Sequence, residues 1–401
     1  MDLFPSIYER VRSAILQWAM TPGQSGYFTI SDICSITGLS TTSVAKNISK
    51  MQEDGLLVIS GQEQARKRGR RAIRYGLTPG GYCFLGVDIK SNCLGIGAAT
   101  LDGNLVYSVL ERDFRIENTH ECLERVCSSV HSFIDAHPDL PPVSAANFNI
   151  GGRVNSMLGT SASIFNFEET QDTPLAEYLS ERMRFPVYIE NDTKAMAYGE
   201  FIAHSNKGWK NVLFVNVSWG LGMGIIIDGR IYYGSNGFSG EIGHMRTYDN
   251  NILCHCGKRG CMETELSGQA IVRKLTQRIQ AGEPSVLSRK VLSGDPLTTD
   301  DIIAALEKED SLCIELVSQA GSGLGLQLAG ILNLLNPECI IIGGTLSKAA
   351  SYYFLQYISL AIRQHSLRLI SQRVPVLTST LGDMAGIHGA CLLARDRILG
   401  C

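Results

Sequence analysis

The sequence predicts an α/β protein: an N-terminal winged helix-turn-helix over residues 1–78, then a body of two similar lobes at 82–200 and 201–383, with a C-terminal helix over 384–398 returning to the first lobe. Three observations carry that prediction. The first eighty residues show helix, glycine turn, helix and a basic hairpin loop in succession. The remainder repeats one strand-and-hairpin pattern ending in Asp-Gly, a strong hairpin signal. And 401 residues are more than one compact core usually holds.

Composition narrows the class. Apolar residues at 44% and charged residues at 19% describe ordinary globular material. No apolar run approaches the roughly 18 to 20 residues that span a bilayer. The opening MDLFPSIYERVRSAIL has acids where a signal peptide needs a basic n-region. A membrane or secreted protein is disfavoured, and the cytoplasm is the expected compartment.

In the head, Ile7, Val11, Ile15 and Trp18 recur at helical spacing along 6–19. A second helix opens at Thr29-Ile30-Ser31-Asp32, with Thr29 or Ser31 as N-cap, and runs to Gly38. A third covers 41–54 and turns Val44, Ile48 and Met51 inward. In this motif the second helix of the pair enters the major groove by its N-terminal end, which offers Thr41, Thr42, Ser43 and Lys46 to bases and phosphates. Strands at 56–59 and 73–77 bracket the loop GQEQARKRGRRA, whose Arg66, Lys67, Arg68, Arg70 and Arg71 form a wing for the DNA backbone or minor groove. Charge agrees: residues 1–80 hold ten Lys and Arg against six Asp and Glu, a net +4 that leaves −7 on the remainder. A basic head on an acidic body is expected when only the head meets a polyanion. One winged unit reads a short half-site, so a homodimer on a roughly two-fold double-stranded DNA operator is expected.

In the body, residues 84–103 read as strand, loop, a second strand with LGIG, and Asp102-Gly103; residues 212–229 repeat this with LGMG and Asp228-Gly229. Each copy continues into a third strand, at 105–110 and 231–233. A phosphate cradle needs glycines so that backbone N–H groups can approach the anion. The first loop, Asp88-Ile89-Lys90-Ser91-Asn92-Cys93, has none; the second, Ser218-Trp219-Gly220-Leu221-Gly222, remains compatible. Gly343-Gly344 follows a buried strand and fits either a platform for a planar base or a turn into a helix. Asp192, in Glu190-Asn191-Asp192-Thr193, either accepts a proton from a sugar hydroxyl or caps the helix that follows.

Most of the twelve cysteines are scattered, but Cys254, Cys256 and Cys261 fall within CHCGKRGC. Clustered thiols in a chain without an export signal point to metal rather than disulfides. A closed tetrahedral zinc needs a fourth ligand. His244 is chosen over His255, which lies between two ligating cysteines where its side chain would point away. Such a shell leaves no position for water, so the zinc would be structural, and the flanking Glu241 and Glu263 are placed to grip hydroxyls.

Together, GEIGH at 240–244, CxCGxxGCxE at 254–263, END at 190–192 and Gly343-Gly344 resemble the ROK family (repressors, open reading frames and sugar kinases) over about residues 10–398. The resemblance implies an actin-like, ribonuclease H-like two-lobed ATPase-type fold with sugar between the lobes. It implies sugar contacts at Asn191, Asp192, Glu241, His244 and Glu263, with Asp192 as general base if the chain is a kinase, and zinc ligands at His244, Cys254, Cys256 and Cys261. The winged head is similar to the family's repressor branch, which includes xylose and N-acetylglucosamine repressors. Kinases of the family carry DxGGTxx where this chain has Asp88-Ile89-Lys90-Ser91-Asn92, and GxPGxV where it has Gly151-Gly152-Arg153-Val154 without the proline. Loss of both glycines and the threonine counts against ATP; a nucleotide site, if kept, would use Gly220, Gly222, Gly343 and Gly344. The expected function is a sugar-responsive repressor, a homodimer or homotetramer, with a sugar or sugar phosphate as effector. The alternatives are an ATP-dependent sugar kinase with a regulatory head and a regulator that senses a transport-system protein.

Overall fold

A computed structural model describes residues 6–20, 27–62, 72–78, 81–165, 173–349 and 351–399. The chain forms two compact units, Met1–Glu190 with Ala390–Cys401, and Asn191–Gly389. The division therefore falls at 190/191 rather than 200/201, and the head clusters with the first lobe. No described helix is long and apolar enough to cross a membrane.

The head has helices Ile7–Met20, Ile30–Thr37 and Thr41–Glu53. Its sheet has strands β1 (Tyr27–Phe28), β2 (Leu57–Gln62) and β3 (Ile73–Leu77) in the order β1-β3-β2. Thr29, not Ser31, caps the second helix: its hydroxyl accepts from Asp32 N, and the Asp32 carboxylate accepts from Thr29 N at 2.7 Å, a reciprocal capping box. Gly38 closes that helix in the left-handed region at φ 68°. Val11, Ile15, Ile33, Val44, Ile48 and Met51 form the head's core. Ile7 does not join them: it is 49% exposed, while its neighbour Tyr8 in the same turn packs against the core. β1 had no signal in the sequence; it pairs antiparallel with β3, and Trp18 Nε1 donates to the Tyr27 carbonyl at 3.0 Å. The wing residues Arg66, Lys67, Arg68, Arg70 and Arg71 lie outside the described residues.

The rest of the first unit is built on β4 (Cys83–Lys90), β5 (Cys93–Thr100), β6 (Leu105–Glu111), β7 (Val143–Ile150) and β10 (Val187–Asn191), ordered β10-β7-β4-β5-β6. A short hairpin, β8 (Val154–Asn155) with β9 (Thr160–Ser161), follows β7. Period-two alternation sends Leu85, Val87 and Ile89 to a core shared with helices His120–Ala136 and Leu175–Met183. Phe84 faces the opposite way, onto Ala394 of the last helix, Ala385–Leu399, with Leu77 from the head and Tyr188 beside them.

The second unit carries β11 (Val212–Val217), β12 (Leu221–Ile227), β13 (Arg230–Ile231), β14 (Cys339–Gly343) and β15 (Val376–Thr378), ordered β13-β12-β11-β14-β15. The two sheets share one plan. In each, the first strand is flanked by its antiparallel hairpin partner and by a later parallel strand. The third strand of the second copy is shorter than the sequence suggests, two residues instead of three. Leu213, Val215 and Val217 pack toward helices Gly268–Gln280 and Ser311–Leu335, while Phe214 packs on Met196 and Ala197 of helix Asp192–Ala203.

Candidate metal centre and ligand-binding face

The site in the second unit draws on four segments: the start of helix Asp192–Ala203, the β11–β12 turn, a 3₁₀ turn at Ile242–His244, and the cysteine knuckle of residues 254–263. His244 Nδ1 lies 3.5 Å from Cys254 Sγ, and Cys256 Sγ lies 3.6 Å from Cys261 Sγ. The donor atoms of His244, Cys254, Cys256 and Cys261 all lie within 4.8 Å of one another. A tetrahedral ion with sulfur at about 2.3 Å and nitrogen at about 2.0 Å has edges of about 3.8 Å (S–S) and 3.5 Å (S–N). The donors thus stand close to the spacing such an ion requires, and the described cysteines are free thiols. Burial pushes the Cys254 thiol up to about 12. At Cys256 burial also acts upward, but hydrogen bonds from the Lys258 backbone and the neighbouring cysteines outweigh it and hold this thiol below its usual range, the easiest of the three to deprotonate.

Glu263 begins the short helix Glu263–Leu266 and is buried. Its Oε2 accepts from Leu221 N at 3.1 Å, and its Oε1 lies 3.0 Å from His255 Nδ1. A Cβ at Gly220 would stand 3.0 Å from that Oε2, so the glycine leaves the carboxylate its place. His255 lies outside the four-donor cluster, yet its side chain does not simply point away: the carboxylate draws it onto Glu263. Glu241 Oε2 lies 3.7 Å from His244 Nε2. His244 therefore turns one nitrogen to the thiols and the other to a carboxylate, an arrangement that orients a metal-binding imidazole.

Asn191, not Asp192, caps the helix that follows, its Oδ1 accepting from Lys194 N at 3.0 Å. Asp192 is the first helical residue; its Oδ1 accepts from Thr193 N at 2.7 Å and from Asn191 Nδ2 at 3.2 Å. Thr193 Oγ1 would sit 3.0 Å from a Cβ at Gly222. The first two residues of β12 therefore bridge the groups, Leu221 holding Glu263 and Gly222 lying under Thr193. A Cβ at Gly343 would enter the Phe214 ring, at 2.2 Å. Gly344, at φ 90°, turns β14 into helix Thr345–Ala349 with Asn216 and Ser218 side chains against it. Close packing and a strand-to-helix turn account for both glycines.

In the first unit the last residues of β4, just before its turn, carry an ion pair. Asp88 is fully buried; its Oδ1 accepts from Asn149 Nδ2 at 3.0 Å, and Lys90 Nζ lies 3.0 Å from its Oδ2. The chain of contacts continues from Asn149 to Asn147 and from Asn147 to Arg397, whose guanidinium also reaches Glu190 at 2.5 Å. Arg397 and Asn147 had no signal in the sequence, because their partners stand far away along the chain. In the head, Thr41, Thr42 and Lys46 are exposed on the first turns of their helix, while Ser43 is half-buried and bonded to the N-cap Ser40.

Residues 85–397 match the ROK family. The DNA-binding transcriptional repressor Mlc of Escherichia coli K12 is 27% identical over 363 residues, which covers 90% of this chain and 88% of Mlc. A glucokinase of Halalkalibacterium halodurans is 33% identical over 228 residues, covering 57% of this chain and 69% of the kinase. A solved ROK family transcriptional regulator, described as a homologue of E. coli Mlc, is 28% identical with a TM-score of 0.80, covering 98% of this chain and 97% of that one.

Proposed function

The chain belongs to the ROK family, and from that premise we propose that it is a sugar-responsive DNA-binding transcriptional repressor. Its head grips an operator as a homodimer or homotetramer, with Thr41, Thr42, Ser43 and Lys46 in the major groove and Arg66, Arg68, Arg70 and Arg71 on the backbone or minor groove. Asp192, Glu241 and Glu263 supply acceptors for a sugar's hydroxyls, with Asn191 and His244 beside them. An effector acts only through its different affinity for the DNA-competent and DNA-incompetent states. His244, Cys254, Cys256 and Cys261 would hold zinc, which with no open position supplies a structural brace when bound.

One observation carries the repressor reading over the kinase: the Lys90 ammonium engages the Asp88 carboxylate, in a turn without a glycine to bring backbone N–H groups onto a phosphate. The match to Mlc along nine-tenths of the chain supports it. Gel shifts on a duplex selected from random DNA, with glucose, xylose, N-acetylglucosamine, glucose 6-phosphate and N-acetylglucosamine 6-phosphate, test the reading. One of these should change affinity tenfold or more. Changing Arg70 and Arg71 together should weaken binding and flatten its salt dependence by about two phosphate contacts. ATP-driven phosphorylation of a hexose, abolished by Asp192→Asn, would overturn the repressor reading. A response only to a transport-system protein would overturn the sugar effector.

A further inference from the structure

We propose that His255 is a specificity-determining residue of the ligand-binding face: it fixes the Glu263 carboxylate from one side and turns its outer nitrogen to the same ligand. The proposal rests on Glu263 being a sugar contact. His255 is held by the knuckle itself, since Cys254 N donates to the Lys258 carbonyl at 2.8 Å and Gly257 N to the Cys254 carbonyl at 2.9 Å. From there its side chain, 62% exposed, places Nδ1 3.0 Å from an oxygen of a carboxylate that is only 11% exposed. An exposed histidine alone would mean little. Here it belongs to a second close group, with donor atoms of His244, His255 and Glu263 within 4.8 Å of one another and the two imidazoles edge to face at 4.9 Å.

The consequence is chemical. An ionised carboxylate has about four acceptor directions on two oxygens. Leu221 N takes one on Oε2 and His255 Nδ1 one on Oε1. The Cys254 thiol also approaches Oε1, at 3.9 Å, so Oε2 keeps a direction for a ligand, and Oε1 offers a second once the thiol gives up its proton to bind metal; the plane of the group is set from both sides. Two acceptors in a fixed plane suit neighbouring hydroxyls of a pyranose, and a site built to bond a hydroxyl rejects analogues that lack it. Placed between two cysteines, His255 also ties the shape of this face to the metal knuckle, as outer partners of metal sites commonly do.

Titration calorimetry with glucose, xylose and N-acetylglucosamine on the full-length wild type, His255→Ala and His255→Asn tests this, with zinc per chain measured in each. The Asn amide nitrogen stands near the position of Nδ1. His255→Ala should weaken the preferred sugar by about tenfold, the scale of losing one hydrogen bond that fixes a charged acceptor, and blur the ranking of the three. His255→Asn should restore most of the affinity, and zinc should be unchanged throughout. Equal affinity and ranking in His255→Ala would overturn the proposal. So would loss of zinc, which would make His255 a metal ligand. A wild type that binds none of the three sugars would remove the Glu263 reading itself, an outcome decided before any variant is considered.

Discussion

The two copies of the strand-and-hairpin pattern have the same strand order and part company at the turn between their first two strands. In the first copy, Lys90 folds back on Asp88 and a buried polar chain runs on through Asn149, Asn147 and Arg397 to Glu190. In the second, Gly220 leaves room for Glu263 to arrive from the cysteine knuckle and accept from Leu221 N. One turn follows a strand end sealed by an ion pair, and the other is kept open by a missing side chain. Topology sets where a turn lies, and one or two side chains then decide whether it is a brace or a binding surface.

The largest expected effect should break the symmetry between the copies outright. A metal held at 1,000 times its dissociation constant stabilises its unit by about 4 kcal/mol, or roughly 8–16 °C in a unit of this size. Removing it by chelation, or by Cys256→Ser, should lower one calorimetric transition by that amount and leave the other in place. Equal shifts in both transitions would show that the knuckle does not belong to the second unit alone.

Next in size is Lys90→Met, which strands the fully buried Asp88 with Asn149 as its remaining named partner. Breaking a buried pair costs about 3–5 kcal/mol, and because Lys90 is 31% exposed the lower end is expected. The double variant with Asp88→Asn should recover most of it in urea unfolding, since removing both charges leaves neither stranded. A double variant as unstable as the single would sink the ion-pair account of the first turn.

Gly220→Ala sharpens the contrast from the other side. A Cβ 3.0 Å from Glu263 Oε2 must displace the carboxylate, so sugar affinity should fall about tenfold, close to 1.4 kcal/mol. Circular-dichroism melting should move by less than that. Stability loss without affinity loss would mean the glycine serves packing alone.

The smallest effect is a yardstick for the second unit. Asp310 caps helix Ser311–Leu335, accepting from Cys313 N at 2.9 Å and Val286 N at 2.7 Å. Burial pushes its carboxyl upward, but those N–H donors outweigh it and hold it below its ordinary value of 3.8. Its folded value is thus the lower one, so its contribution is intact above about pH 5 and is lost as pH falls through that folded value. Asp310→Ala should cost about 1 kcal/mol at pH 7, and the gap in melting temperature from wild type should close below about pH 4. A gap constant with pH would rule out the carboxylate as the source of the cap's strength.

Much of the site was legible because it is local. Thr29, Gly38 and the third helix could be placed from neighbours a few residues away, and the spacing of His244, Cys254, Cys256 and Cys261 announced a cluster. Ile7 falls outside the core because periodicity does not say where a core ends. β1 carries no pattern because it is two residues long. Its place between two thiols says little about His255, whose direction the carboxylate across the knuckle decides.

The sequence by itself therefore determined what depends on short separations: caps, hairpins, the head's helices, the duplicated motif and the thiol cluster. Tertiary structure alone decided that Asn149 meets Asp88, that Arg397 reaches Glu190 from 207 residues away, and that Leu221 holds Glu263. A helix turn or hairpin constrains its own side chains through fixed local geometry. A hydrogen bond between distant residues exists only once sheet register and helix packing have brought two backbones within reach.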